Sequence, residues 1–352
     1  MRILYIAQKY DYGKPEKGFS FEHHNFYETL VNMNGSGHEV IYFPFDEVMR
    51  DVGRDKMNKK LLEVVEKKRP DLCFFFIFTD EIKKKTIKRI TGRGDTVTFN
   101  WFTDDHWRFS IYSRHWAPFF NWVSTTDSKA PAKYKKVGYE NVIKTQWACN
   151  HFVYKRIGEG LKHDVTFVGQ PHGGRREIVD DIGRAGVPIE CWGGGWPNGR
   201  IGQDDMIKLF SESKINLNLT MSSGSFRLEP IAKIFINRRV DDSYQLRNPV
   251  SWPANFISWA SERTEQIKGR NFEVPGSGGF LLTSDADNLT DYFEDGREIV
   301  IFKDTADLID KAKYYLSHEN ERASIAEAGY QRTIRDHTYE KRFNDIFTAM
   351  GF

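Results

Sequence analysis

A chain of 352 residues, 39% hydrophobic and 28% charged, is long enough for two domains with sizeable cores. Its net charge of +2 at pH 7 supplies no global basic field, which argues against nucleic acid as a partner. Three scattered cysteines, Cys73, Cys149 and Cys191, form no C-x-x-C and point to a reducing compartment. No apolar run approaches the ~18 residues of a membrane span, and the N-terminal run is too short for a signal peptide, so a cytoplasmic location is expected.

Arg2–Ala7 is a short apolar run that predicts a parallel core strand. After a polar loop with Gly13 and Gly18, the helical spacing of Phe26, Leu30 and Met33 predicts a helix over Phe21–Met33. Gly37–Phe43 reads as a second strand, Lys56–Lys68 as an amphipathic helix closed before Pro70, and Leu72–Phe78 as a third strand. Glu81–Ile90 is a basic helix, Thr96–Phe102 a fourth strand and Trp122–Thr125 a fifth. The alternation then restarts with strand Asp164–Val168, helix Arg175–Ala185, strand Ile189–Trp192, helix Asp204–Ser211 and strand Ile215–Leu219. Strand Phe280–Thr283 and helices Thr305–Leu316 and Glu319–Asp336 complete it. The fold class is therefore α/β, with two Rossmann-like, doubly wound domains facing a cleft, over residues 1–150 and 151–338. Residues 224–264, polar and aromatic with Pro230, Pro249 and Pro253, break the pattern and read as an insertion in the second domain.

Several signatures are absent: there is no P-loop, no H-E-x-x-H, and no G-x-G-x-x-G after the first strand. Asp285-Ala286-Asp287 has a D-x-D spacing but falls in a turn, where Asp is common, so no metal site is expected. Lys268 to Thr283 packs two cations, one carboxylate and four glycines into sixteen residues. Lys268 and Arg270 can meet phosphate oxygens, and Glu273 can accept from vicinal hydroxyls. The same stretch also reads as a polar helix end with a Gly stop. Gly169–Arg176 is a strand end, a glycine loop and two arginines, Arg175 and Arg176, opening a helix, which suits an anion. Asp104-Asp105 follows the fourth strand among aromatics and reads as an acid/base pair, or as a helix cap and a solvated carboxylate. His24, beside His23, opens the first helix and is either a cleft residue or a structural one. The aromatic run His115–Val123 reads as core, acceptor wall or shallow membrane contact, and Lys83–Arg89 as a solvated basic face or a site for anionic lipid.

Taken together, these elements resemble the GT-B glycosyltransferases, in particular the CgeB-like group related to glycosyl transferases group 1. The resemblance is carried by Phe167-Val168-Gly169, Gly195-Trp196, Ser213–Asn218, Gly269–Glu273 with Gly278–Leu282, and His337-Thr338-Tyr339 with Arg342. It implies a sugar transferase whose C-terminal domain holds a nucleotide-sugar donor, with UDP the leading expectation and no obligatory metal. Gly169, Arg175, Arg176, Trp196, Lys268, Arg270 and Glu273 are then the donor-side residues, Glu273 on the ribose and the cations on the diphosphate. Glu265, eight positions before Glu273, gives the E-x7-E spacing of many retaining members and would lie near the transferred sugar. The catalytic candidates are Glu265 and, on the acceptor side, Asp104, Asp105 and His24. The acceptor is a glycan, protein or lipid-linked molecule; a peripheral membrane contact and a homo-oligomer stay open. The resemblance also implies a last helix, about 339–352, that crosses back to the first domain. The rival readings are a nucleotide-sugar epimerase or hydrolase on the same frame, and a non-catalytic nucleotide- or sugar-binding module.

Overall fold

The computed structural model describes every residue except 34–36, 158–159, 221–230, 233, 239–243 and 262–263. The chain separates into two compact units, each assembled from pieces distant in sequence. The first comprises Met1–Gln146, Phe226–Glu262 and Arg342–Phe352; the second comprises Trp147–Ser225 and Arg263–Lys341.

In the first unit, β1 (Arg2–Ala7), β2 (Glu39–Pro44), β3 (Leu72–Phe75), β4 (Val97–Trp101), β5 (Trp122–Thr125) and β6 (Val142–Lys144) form one parallel sheet in the order β2-β1-β3-β4-β5-β6. β1 and β3 are buried along nearly their whole length and apolar on both faces, so they read as continuous hydrophobic runs. The edge strand β6 is three residues long and half-buried, too short to leave a periodic signal, and it was not expected. Neither was the helix Phe45–Val52, which starts directly after Pro44; its Asp46 turns back to accept from the Lys9 and Tyr10 amides at 2.8 and 3.0 Å. The expected first helix has a π-helical turn, His23–Tyr27, ahead of the α-helical Glu28–Asn32. The helix Arg54–Lys68 ends as expected before Pro70, but Arg69 adopts a left-handed conformation (φ 46°) rather than an extended one. Its amide still bonds Val65 O at 2.9 Å, so the chain turns while closing the helix.

The aromatic residues concentrate in this core. Phe26 meets Trp101 edge-on at 4.8 Å, Phe74 meets Phe99 at 4.8 Å, and Phe343 meets Phe26 at 5.4 Å and Phe74 at 5.5 Å. Phe343 and Phe347 are buried here, which is what makes Arg342–Phe352 part of the first unit. The run His115–Val123 contributes Trp116, Ala117, Phe120 and Val123 to the core, while His115 and Pro118 are exposed.

In the second unit the chain supplies β7 (His163–Val168), β8 (Ile189–Trp192) and β9 (Ser213–Asn218). It then visits the first unit with a hairpin of β10 (Ile236–Arg238) and β11 (Tyr244–Leu246), and returns with β12 (Leu281–Ser284) and β13 (Val300–Phe302). The parallel order is β13-β12-β9-β7-β8. The segment 224–264, attached to the second domain from sequence, thus groups with the first unit over Phe226–Glu262. Its helix Trp252–Ser261 packs on the turns Asp105–Ser113. Residues 224–230, 233, 239–243 and 262–263 of that segment lie outside the described residues. The three cysteines are free and buried, and among the described residues no helix is long and apolar enough to cross a membrane.

Candidate functional site

The strand order of the second unit reverses between β7 and β9, and in doubly wound sheets ligands bind outside the carboxyl ends of the strands at that reversal. β7 leads into the loop from Gly169 to Gly174, and the helix Arg175–Arg184 begins there with Gly174 at its N-cap and no side chain capping its amides. The Arg175 guanidinium lies across the reversal: Nη1 donates to Gln170 O at 3.1 Å and Nη2 to Leu219 O at 2.7 Å, tying the end of β7 to the end of β9. Burial pushes its pKa below the usual arginine value, yet an arginine stays charged in a protein. A fixed cation therefore sits where uncapped helix amides converge, the chemistry of an anion site.

Around this loop the expected residues come together. Arg176 is exposed, donates to Gly195 O at 2.8 Å and lies 4.9 Å over the Trp196 ring. Trp196 is buried, edge-on to Phe167, and its indole donates to Gly169 O at 2.8 Å. It shapes the loop from beneath, and its ring is not presented as an open stacking surface. Gly193 has φ 135°, and a Cβ there would stand 2.2 Å from Gly169 O, so the ends of β7 and β8 close on one another only around a glycine.

The stretch Lys268–Thr283 forms the helix Arg270–Gly276 and the strand β12. Glu273 is fully buried and ion-paired to Arg270 through Oε2, while its Oε1 and the Arg270 Nε are buried with no hydrogen-bond partner; the Tyr154 hydroxyl is buried beside the pair. Burial and the Glu273 charge push that hydroxyl well above its ordinary value. Arg270 faces inward, over Phe210 at 5.2 Å with Nη2 donating to Met206 Sδ at 3.0 Å. In this conformation the two charges neutralise one another inside the protein, since a buried carboxylate persists only with a paired cation. Lys268 stands half-buried just ahead of the helix, its amide donating to Asn271 Oδ1 at 2.9 Å.

A polar network that the sequence reading missed joins these parts. Asn218, at the end of β9, donates from Nδ2 to Asn271 Oδ1 and Thr283 Oγ1, both at 3.2 Å. Thr220 donates to Glu265 Oε2 at 2.7 Å and lies 2.6 Å from Ser284 Oγ. Glu265 is thereby held half-buried at the carboxyl ends of β9 and β12. The signal was present: Asn216, Asn218 and Thr220 alternate with Ile215, Leu217 and Leu219 along and just beyond a central strand, and buried amides there demand partners. Asp285 bonds its neighbour's amide at Ala286, as a turn aspartate does. Among the described residues no three His, Cys, Asp or Glu side chains are placed to hold a metal ion.

In the first unit, Asp104 follows β4 in a left-handed conformation (φ 57°), unusual for a residue other than glycine. It is half-buried and at the N-cap of the turn Asp105–Arg108, but its carboxylate makes no cap bond. Asp105 is neither open nor solvated. It is fully buried, accepting from the hydroxyls of Ser113 and Tyr134, the latter at 2.9 Å. Burial raises its pKa to about 6 against hydrogen bonds from Ser113, Thr125 and Tyr134 that lower it. Its place makes it a tie between the turns after β4 and the helix Ala130–Lys136, out of reach of an acceptor. His24 is half-buried in the π turn, edge-on to Phe19 and His23. Next to it, Glu22 is buried and held near a pKa of about 7, chiefly by desolvation, and burial lowers His23 to about 4. Glu22 was missed because nothing local marks a glutamate at a helix start as buried.

A protein-family model described as glycosyl transferase-like matches residues 175–348. Spore protein CgeB of Bacillus subtilis is 20% identical over 294 residues, covering 82% of this chain and 85% of that protein. Among solved structures, a sucrose-phosphate synthase from Thermosynechococcus elongatus has a TM-score of 0.63 at 8% identity, covering 99% of this chain and 98% of its own. Anabaena HepE in complex with UDP-glucose has a TM-score of 0.59 at 10% identity, covering 99% of each chain. A glycosyltransferase from Rickettsia africae has 0.60 at 11%, covering 99% and 98%. These structural likenesses concern the two-sheet fold of the whole chain, and the family match falls on the half that carries Arg175, Glu265 and Glu273. Residues 175–348 carry the match to the glycosyl transferase-like family, and the chain is a GT-B glycosyltransferase, an enzyme of sugar transfer.

Proposed function

We propose that this enzyme takes its sugar from a nucleotide diphosphate donor bound at the carboxyl ends of β7 and β9, and needs no divalent metal. The observation that carries the reading is Arg175, fixed across the strand reversal at the uncapped start of the helix Arg175–Arg184. When the bond between the anomeric carbon and the diphosphate oxygen breaks, negative charge builds on the leaving group. Arg175, Lys268 and the helix amides take up that charge as preorganised donors. Glu265, held by Thr220, faces the transferred sugar, and the Arg270–Glu273 pair positions the helix behind it. The acceptor hydroxyl attacks the anomeric carbon and gives its proton to a general base. A uridine nucleotide is favoured by the likeness to HepE, whose structure contains UDP-glucose.

A thermal-shift screen against UDP, GDP, dTDP, ADP and CMP tests the donor. UDP is expected to raise the melting temperature, with the same shift in EDTA. In R175A the nucleotide affinity falls at least about tenfold, the weight of one charge-assisted contact. Lack of stabilisation by every nucleotide, or a shift that needs added divalent metal, removes the proposal.

A further inference from the structure

The sheet of the first unit has its own reversal, between β1 and β3, with β2 on one side of β1 and β3 on the other. The loop 8–20 leaves the carboxyl end of β1 there, the place where open α/β sheets bind ligands. This loop is braced. Asp11 N donates to Gly18 O at 3.0 Å and Ser20 N to Lys9 O at 2.8 Å. Tyr10 and Phe19 pair as an antiparallel bridge, and the Asp46 carboxylate anchors the Lys9 and Tyr10 amides.

A series of rings runs from the sheet out to the loop. Phe74 in β3 meets Tyr5 edge-on at 5.6 Å, and Tyr5 stacks on Tyr27 at 6.3 Å. Tyr27 lies 5.2 Å from His23, which stacks on Phe19 at 4.2 Å, and Phe19 stacks on Tyr10 at 5.7 Å. At the end of the series Phe19 is still 45% exposed, and Tyr12 beyond it is 63% exposed. Tyr12 also holds a left-handed backbone (φ 55°), an outlier for an aromatic residue of the kind that gathers at ligand clamps. His23, against Phe19, is buried on the π-helical turn, a feature that recurs at functional sites. Its Nδ1 and the Oδ1 of Asn25 in the same turn have no hydrogen-bond partner among the described residues.

The charges around these rings are mixed. Lys9 is paired with Glu47 at 2.9 Å, and the exposed part of the loop carries both Lys14 and Glu16. A neutral ligand suits such a site better than an anionic one. A pyranose ring has the matching chemistry. One face presents polarised C–H groups to the negative face of an aromatic ring, and the rim carries hydroxyls that bond to either sign of charge. We propose that the loop 8–20 is an acceptor subsite, which seats a sugar ring of a carbohydrate acceptor against Phe19 and Tyr12. The brace of the loop and the rings behind Phe19 hold the two side chains in place before the glycan arrives, which lowers the ordering cost of binding. The subsite presupposes the proposed transfer to an acceptor hydroxyl, but it binds its glycan without the donor.

Binding of the full chain to a printed oligosaccharide array without nucleotide tests it, with saturation-transfer NMR on maltotriose, cellotriose and chitotriose reading the same contact in solution. At least one glycan is expected to bind. Y12G removes a ring at a backbone position that glycine adopts without strain, so the fold is kept. Y12G and F19A should each weaken glycan binding about tenfold, the weight of one stacked ring, and F19Y, which keeps the ring, should bind as the wild type does. Both losses should leave the thermal shift with UDP unchanged, and R175A should leave glycan binding unchanged. A protein that is stabilised by UDP and binds no glycan overturns the subsite while the donor site stands. Wild-type glycan binding by both Y12G and F19A overturns it as well. Ring-dependent glycan binding without stabilisation by any nucleotide supports the subsite and removes the donor site instead.

Discussion

Glu22 shows how a single buried side chain links position to chemistry. Desolvation lifts its carboxyl from the ordinary 4.5 to about 7, so the folded protein holds this proton more tightly than the unfolded chain does. Its contribution to stability is therefore full below about pH 4.5 and is lost as pH rises through 7. A difference of that size is worth roughly 3 kcal/mol. Urea unfolding of the wild type and of E22Q between pH 4.5 and 8 should show their stability difference moving by about that amount, in favour of the wild type at the acidic end. A difference that stays constant across the range would mean that Glu22 ionises as a solvated glutamate does. Asp105 obeys the same rule from a different position, since full burial and three hydroxyl partners make it a structural tie.

At the level of elements, the instructive case is β9. It is a central parallel strand, which usually carries only apolar residues, yet Asn216 and Asn218 are buried in it. Asn216 donates to Phe210 O at 2.9 Å, holding the preceding helix, and Asn218 couples the strand to Asn271 and Thr283. N218A should remove two buried hydrogen bonds at a cost of about 1–3 kcal/mol, Asn271 Oδ1 keeping the Lys268 amide and Thr283 Oγ1 keeping Asn271 Nδ2. If the network also positions Lys268 and Glu265, N218A should weaken UDP binding more than its loss of stability explains. Isothermal titration at a temperature where both proteins are fully folded measures this; equal affinities would confine Asn218 to a structural role.

The whole molecule is not two consecutive halves. The first unit closes its core with residues near the C-terminus, since Phe343 is fully buried against Phe26 and Phe74. F343A should therefore destabilise the first unit by about 3–5 kcal/mol. Hydrogen exchange should show lost protection in β1, β3 and β4, with β7, β9 and β12 little changed. Loss confined to the strands of the second unit would contradict this placement. The inserted piece Phe226–Glu262 belongs to the same unit although it leaves the chain between two strands of the other sheet.

What was legible in the sequence follows from what is local. Apolar runs, Gly and Pro stops and helical spacing marked most of the long elements, among them Trp122–Thr125, Ile189–Trp192 and Glu319–Asp336, because each reflects only its own period and ends. The Gly169–Arg176 loop was legible for the same reason: strand, glycines and arginines are adjacent in sequence. The inward turn of Arg270 and Glu273, the burial of Asp105 and Glu22, and the partners of Asn218 were not legible, because burial and pairing depend on residues tens of positions away, 64 for Arg270 and Met206 and 65 for Asn218 and Thr283. Only the tertiary structure decided that Arg175 spans the ends of β7 and β9. It likewise decided that the helix Trp252–Ser261 lies on the first unit with Trp259 inward and Phe256 and Ile257 outward, since a hydrophobic pattern shows that a face exists and packing decides which way it points.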